Sequence, residues 1–251
     1  MSHILLSPPL TAPDQLNAAL YREGFAVLKA DSVRMLSGVS ADALAVMSQD
    51  WNHLEPDRHL KDGGRYRSRR HASFVAEGSE VRVVPHRAHW QPLDYNALHG
   101  GMERWFEPMA AETVARPEWL SLLRWLSGVA SALISDQRWF IEAHQFRIDT
   151  VASGIGRPTP EGAHRDGVDL VAVFLLAREG IKGGETRVFE LNGPSGQRFT
   201  LSEPWSVLLL DDRRMIHEST PIQPVSESDH GHRDTLVVTL RAEGFLDPVL
   251  V

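Results

Sequence analysis

The chain contains no cysteine. Disulfides, thiolate catalysis, zinc–thiolate sites and iron–sulfur clusters are therefore excluded, and any bound metal must rest on histidine and carboxylate. No stretch approaches the roughly eighteen apolar residues that cross a bilayer. The opening "MSHILLSPPLTAPDQ" has no basic segment before its short apolar run, so no secretory leader is expected and the cytoplasm is the default location. There is no excess of positive charge either. Lys+Arg number 26 against 33 Asp+Glu, for a net charge of −7. That balance argues against nucleic acid or anionic membrane as a partner. Internal repeats and low-complexity segments are absent as well.

What is present is ordinary globular material, 42 % apolar and 24 % charged over 251 residues. That length suits one large domain or two small ones. No stretch reads as a flexible linker, so residues 1–251 are taken as one domain. The texture changes near residue 139. Before it, "DQLNAALYREG" (14–24), "SADALAVMSQDWNHL" (40–54) and "PEWLSLLRWLSGVASALI" (117–134) have helical periodicity, with Ser40 as N-cap and Gly24 as C-cap. "GFAVLKA" (24–30) reads as a strand. After it come short apolar runs at 139–149, 170–177, 185–191, 197–201, 205–212, 215–223 and 235–243, most of them separated by turn clusters. The expected class is mainly β with α. Residues 139–251 form a sandwich or barrel, and residues 1–138 form a helical or mixed layer against it.

The stretch "EGAHRDGVD" (161–169) sits at the mouth of the apolar run "LVAVFLLA". Period-two geometry aims His164 and Asp166 at one point. A third ligand has to come from a distant strand, and His217 in "RRMIHEST" is the candidate. Two histidines and one carboxylate leave open positions on a metal, as in non-haem Fe(II) oxygenases. Farther on, Arg233 and Thr235 in "HRDTLVVTLR" share a strand face. A buried arginine there needs an anion, and a dicarboxylate co-substrate supplies one through a bidentate fork. Each motif also has a plainer explanation: a loop pair joined by a hydrogen bond for His164 and Asp166, a satisfied strand-end residue for His217, a loop cap for Arg233.

At these residues the sequence resembles the 2-oxoglutarate- and Fe(II)-dependent dioxygenase superfamily, whose signature runs H-x-D…H…R-x-S/T on a double-stranded β-helix, or jelly roll. "GGET" (183–186) has the superfamily's look. "RPTPEGAHRDGVDLV" (157–171), "HQFRI" (144–148), "RYRSRRHASF" (65–74) and "DYNALHGGMERWFEPM" (94–109) resemble a narrower bacterial family that contains isoleucine dioxygenase and BsmA-type proteins. The resemblance implies that His164, Asp166 and His217 hold Fe(II). It further implies that Arg233, assisted by Thr235, grips the distal carboxylate of 2-oxoglutarate, and that O2 is the other co-substrate. The segment before Arg233 is slightly long for the superfamily and holds His230 and His232, so Arg241 competes for the anion.

The implied activity is hydroxylation of a small substrate, a free or N-substituted aliphatic L-amino acid, with sulfoxidation of methionine as a variant. A substrate carboxylate would need a cation. Arg65 and Arg69, with Arg67 and Arg70 in "RYRSRR", and Arg147 in "HQFRI", are the candidates. The alternative for "RYRSRR" is a solvated basic loop. Trp90, Trp105 and Trp125 are read as core. A catalytically silent jelly roll that binds a metabolite in stress or biofilm behaviour is the other functional reading, and a cupin-type enzyme is a third that has no use for Arg233. The oligomeric state, including a homodimer, is left open.

Overall fold

The computed structural model describes residues 5–60, 65–96, 98–150, 154–226 and 230–248. Part of the expected "SESDHGH" turn, 227–229, lies outside them, as do the first four residues. Among the described residues, five α-helices, α1 (Leu16–Glu23), α2 (Ala30–Ser37), α3 (Ala41–Ser48), α4 (Ala111–Val114) and α5 (Pro117–Leu133), precede most of the strands. The strands before residue 139 are β1 (Phe25–Leu28), β2 (Arg67–Glu77) and β3 (Glu80–Val83). After it come β4 (Trp139–Thr150), β5 (Leu170–Glu179), β6 (Ile181–Gly183), β7 (Thr186–Glu190), β8 (Gly196–Phe199), β9 (Val207–Asp211), β10 (Met215–Ser219), β11 (Ile222–Pro224) and β12 (Gly231–Arg241).

A seven-stranded sheet runs β1-β9-β5-β12-β4-β2-β3 and a three-stranded one runs β10-β7-β8, with β11-β6 as a third, smaller pair. The named strands pair antiparallel, as in a jelly roll. Because strand side chains alternate, the large sheet has two faces with separate jobs. Phe74, Ile141, Ala143, Phe174, Val207, Leu236 and Val238 pack against α1, α2 and the buried Trp119–Leu122–Leu126 stripe of α5 in one apolar cluster. Burial of that stripe, at about 1.5–3 kcal/mol per large side chain, holds the helices on the sheet. The opposite face looks into the barrel and is divided. Val27, Val171, Leu175, Leu208 and Leu210 join Val188 and Phe199 of the small sheet in a second apolar cluster. The half formed by β12, β4 and β2 instead carries charged and polar side chains and forms a pocket.

Three sequence expectations change. "RYRSRR" is not a loop: Arg67 to Arg70 open β2, which pairs with β4 over its length. The helix expected over 40–54 ends at Ser48 and continues as a tight turn, Gln49–His53, from which Trp51 donates its indole N–H to the carbonyls of Phe146 (3.1 Å) and Thr235 (3.2 Å). The last strand begins at Gly231 rather than 235, so Arg233 lies inside it. Ser40 caps α3 as expected, its hydroxyl accepting from the Ala43 N–H at 3.2 Å.

Candidate active site

His164 leaves the chain as an isolated bridge to His217 of β10, each backbone N–H donating to the other's carbonyl at 3.0 Å. This bridge carries the "EGAHRDGVD" loop across to the small sheet. Asp166 then points between the two imidazoles: His164 Nε2 lies 3.8 Å from its Oδ1 and His217 Nε2 lies 3.8 Å from its Oδ2. One donor atom from each of the three residues lies within 4.8 Å of the others, a spacing that can hold a metal ion. His164 Nδ1 donates to the Gly162 carbonyl at 3.0 Å, which leaves the Nε2 lone pair for a metal. Burial and the neighbouring His164 depress the pKa of His217, keeping it neutral as a ligand must be. Burial pulls the pKa of His164 down, but the carboxylates of Asp166 and Glu161 outweigh it and leave it raised.

The loop is clamped from below by Asp212, at the end of β9. Its carboxylate accepts the N–H groups of Asp166 (3.1 Å), Gly167 (2.8 Å) and Val168 (3.0 Å). Burial and the Asp166 charge push its pKa up to about 7. Gly167 has φ of +79°, and a Cβ there would lie 2.4 Å from the Tyr95 ring, so the position admits only glycine.

The pocket floor follows from strand register. Across β12, β4 and β2, Arg233 pairs with Ile148 and Arg67, Thr235 with Phe146 and Arg69, Val237 with His144 and His71, and Thr239 with Glu142 and Ser73. At ~3.3 Å per residue, the Arg233 and Thr239 rows stand about 20 Å apart along the strand. Arg233 is buried, and its Nη2 has no hydrogen-bond partner among the described residues. Burial and the nearby Arg178 pull its pKa down to about 10. An unpaired buried guanidinium beside a second arginine fits an anionic ligand. "GGET" makes this possible: Gly184, at φ +65°, would place a Cβ 2.9 Å from Arg178 Nη1 and 3.5 Å from Arg233 Cδ. Arg241, the competitor, turns away to the Gly244 carbonyl and Glu243.

The other sequence candidates separate. Arg69 is buried in the pocket, 3.6 Å from the Phe106 ring centroid, with Nη2 donating to His144 Nδ1 at 2.9 Å. Arg65 is exposed and does not line it. Arg147 is on the opposite face of β4, held in a two-pronged ion pair by its cross-strand neighbour Asp234 at 2.6 and 2.8 Å. Its parity decides this: Glu142, His144 and Phe146 face the pocket, so an odd-numbered neighbour cannot. Trp105 is 57 % exposed rather than core.

Several pocket residues were not singled out from sequence. Glu142 accepts from His71 Nε2 (3.1 Å) and His89 Nδ1 (3.2 Å). Burial works to raise its pKa, but the two histidines hold it far below the ordinary value. Burial lowers the pKa of His89 to about 4 and depresses those of His71 and His144. His71, His89 and His144 are also close enough to hold a metal. However, the His71 and His144 rings stack at 18° and 4.6 Å, which sends their lone pairs along nearly parallel planes, and Glu142 and Arg69 occupy three of the ring nitrogens. These residues form a hydrogen-bonded wall of the pocket. Gln91 completes the set, beside the buried Arg104, whose place in "DYNALHGGMERWFEPM" had a family look but no physical account in the sequence. Even spacing in "EAHQF" was the available signal.

The comparisons agree with this geometry. Residues 48–239 match the model of the 2OG-Fe dioxygenase family. A crystal structure of a bsmA homolog from Methylobium petroleophilum PM1 is 51 % identical, with a TM-score of 0.91 over 97 % of this chain and 98 % of that one. IDO from Bacillus thuringiensis shares the fold at 18 % identity, with a TM-score of 0.74 over 96 % of this chain and 100 % of that one. The Fe(II)/α-ketoglutarate-dependent dioxygenase TqaL does so at 19 % and 0.71, over 91 % and 86 %. No curated protein matches. A jelly roll, a two-histidine-one-carboxylate cluster and a family match across most of its length lead to one conclusion: the chain belongs to the 2OG-Fe dioxygenases, non-haem iron enzymes that use Fe(II) and 2-oxoglutarate.

Proposed function

We propose that residues 1–251 act as one domain in which His164, Asp166 and His217 hold the iron. Arg233, with Thr235 beside it, takes the distal carboxylate of 2-oxoglutarate. The substrate is a small free or N-substituted aliphatic L-amino acid, hydroxylated at carbon, or methionine, oxidised at sulfur. The observation that carries this reading is the convergence of three donor atoms within 4.8 Å on a pocket whose floor holds the orphaned Arg233. The iron and its co-substrate would supply the oxidative chemistry, in which substrate, 2-oxoglutarate and O2 give oxygenated substrate, succinate and CO2.

The protein's part is to position and to exclude water. Arg69 and Arg104 offer a carboxylate two cations, and Glu142 offers an ammonium an anion. Because Arg69 can only donate, His144 Nδ1 must accept, and its Nε2–H is a further donor. Val173, Val237 and Ile148 supply the apolar contact that an aliphatic side chain needs.

Purified protein, loaded anaerobically with Fe(II) and 2-oxoglutarate, is expected to show a weak visible charge-transfer band. On exposure to air, succinate release should rise with one or a few of the twenty amino acids or their N-acyl forms. A band without any amino-acid-stimulated succinate would overturn the substrate assignment. Loss of the band in wild-type protein alone would overturn the ligand assignment.

A further inference from the structure

Asp166 is half-buried, its side chain 16 % exposed, and it faces both His164 and His217. Among the described residues, one side chain donates a hydrogen bond to it: Gln91, from Nε2 to Oδ1 at 3.2 Å. The other end of the same amide is spoken for. Gln91 Oε1 accepts from Arg104 Nη2 at 2.8 Å and from Asn96 Nδ2 at 3.2 Å. All three side chains are buried, Gln91 at 5 %, Asn96 at 5 % and Arg104 at 2 % exposure.

The backbone holds this strap firmly. Gly101 N–H donates to the Gln91 carbonyl at 2.8 Å, and His89 and Arg104 exchange backbone hydrogen bonds at 3.0 Å. Asn96 Oδ1 accepts the His99 N–H at 2.7 Å. The Tyr95 ring from the same segment lies against Gly167, one residue past Asp166.

An amide can present either its oxygen or its nitrogen to a neighbour. Guanidinium has donors only, so Arg104 compels Gln91 to turn Oε1 toward it. Nε2 is then left facing Asp166, the one orientation that suits an ionised carboxylate. Oxygen facing oxygen would repel.

We propose that Gln91 is a positioning residue for the iron: its amide fixes the side chain of Asp166, and Arg104, with Asn96, fixes the amide. The inference rests on the assignment of Asp166 as a ligand. It also links the two halves of the pocket. The guanidinium that sets the amide is the one that lines the substrate wall beside Glu142.

The test is anaerobic titration of metal-free protein with Co(II), read by visible absorption, with no co-substrate or substrate present. Gln91→Met fills the same volume and cannot donate. It should weaken Co(II) about 10- to 100-fold, the usual effect of removing a partner of a ligand. Arg104→Met, which touches no ligand, should weaken it by a smaller factor, because Asn96 alone then holds the amide oxygen. The double variant should be no weaker than Gln91→Met, since both act through one amide. Thermal unfolding in EDTA serves to compare folding of the variants. Co(II) affinity of folded Gln91→Met within twofold of wild type overturns the proposal. Wild-type affinity in Arg104→Met overturns the arginine's part. Failure of wild-type protein to take up Co(II) at all overturns the ligand assignment itself, and the proposal with it.

Discussion

At the scale of single residues, the site is a set of buried charges whose partners are either all present or conspicuously missing. Arg147 belongs to the first kind. Its guanidinium is spent on Asp234, itself 3 % exposed. Arg147→Ala should therefore destabilise the fold by about 2–3 kcal/mol, somewhat below the cost of breaking a fully buried pair because the arginine is partly solvated. It should leave the KM for substrate unchanged; urea unfolding with parallel kinetics checks both. Arg233 belongs to the second kind, an orphaned donor 3 % exposed. Arg233→Gln should raise the KM for 2-oxoglutarate at least about 30-fold, the low end of losing a buried charged partner. Fe(II) or Co(II) affinity should change little, and a KM within threefold of wild type would refute the assignment. Sequence placed Arg233 and Arg147 in the same class of inward-facing cations. The face each takes in its strand, and the Asp234 that only Arg147 meets there, told them apart.

At the scale of elements, alternation assigns the side chains once a strand's direction and neighbours are known. In β4 it sends Glu142, His144 and Phe146 to the pocket and Ile141 and Ala143 to the helical core. In β2 it sends Arg67 and Arg69 inward, which is why an arginine-rich stretch that reads as solvated is in fact buried. β2 was hidden because its pattern is polar on the pocket face, and hydrophobic periodicity is blind to a wall of charges. The helices were more legible. Capping and spacing are local, so Ser40 and the α5 stripe stood where expected. Ser40→Ala should lower stability by about 1 kcal/mol, measured by urea unfolding, without affecting metal binding.

At the scale of the whole molecule, the interior of the barrel is split between an apolar half and a charged half, and the charged half makes stability depend on pH. His89 titrates near 4 in the folded chain against an ordinary value of 6.5, and His71 and His144 are depressed as well. The unfolded state therefore takes up protons first as pH falls, so stability drops from about pH 6.5 toward 4. Glu142, also depressed, extends the loss below its ordinary value of 4.5. His164, Asp149, Asp166 and Asp212 are shifted the other way, Asp212 to about 7, so the folded state also takes up protons over this range and part of the loss is offset. Metal-free protein should lose about 5–10 °C in Tm between pH 7 and pH 4.5, for a change of a few kcal/mol. A flat profile in Asp212→Asn as well, where that opposing carboxylate is gone, would mean that the histidine wall is not buried and neutral as described. The peripheral order of the large sheet was invisible in sequence for a related reason. β1 and β2, from the expected N-terminal layer, flank strands drawn from the other end of the chain.

The sequence by itself determined the classes of chemistry open to this protein, the helices and most of the strands, and it singled out His164, Asp166, His217 and Arg233 as candidates, because absence, capping, short motifs and local period need no partner to be read. The tertiary structure alone decided which cations are spent and which are free, that Glu142 and His89 form a wall, and that Gln91 stands between Asp166 and Arg104. Those facts depend on which strands lie side by side, and strand register is a relation between segments far apart in the chain, set by the packing of the whole.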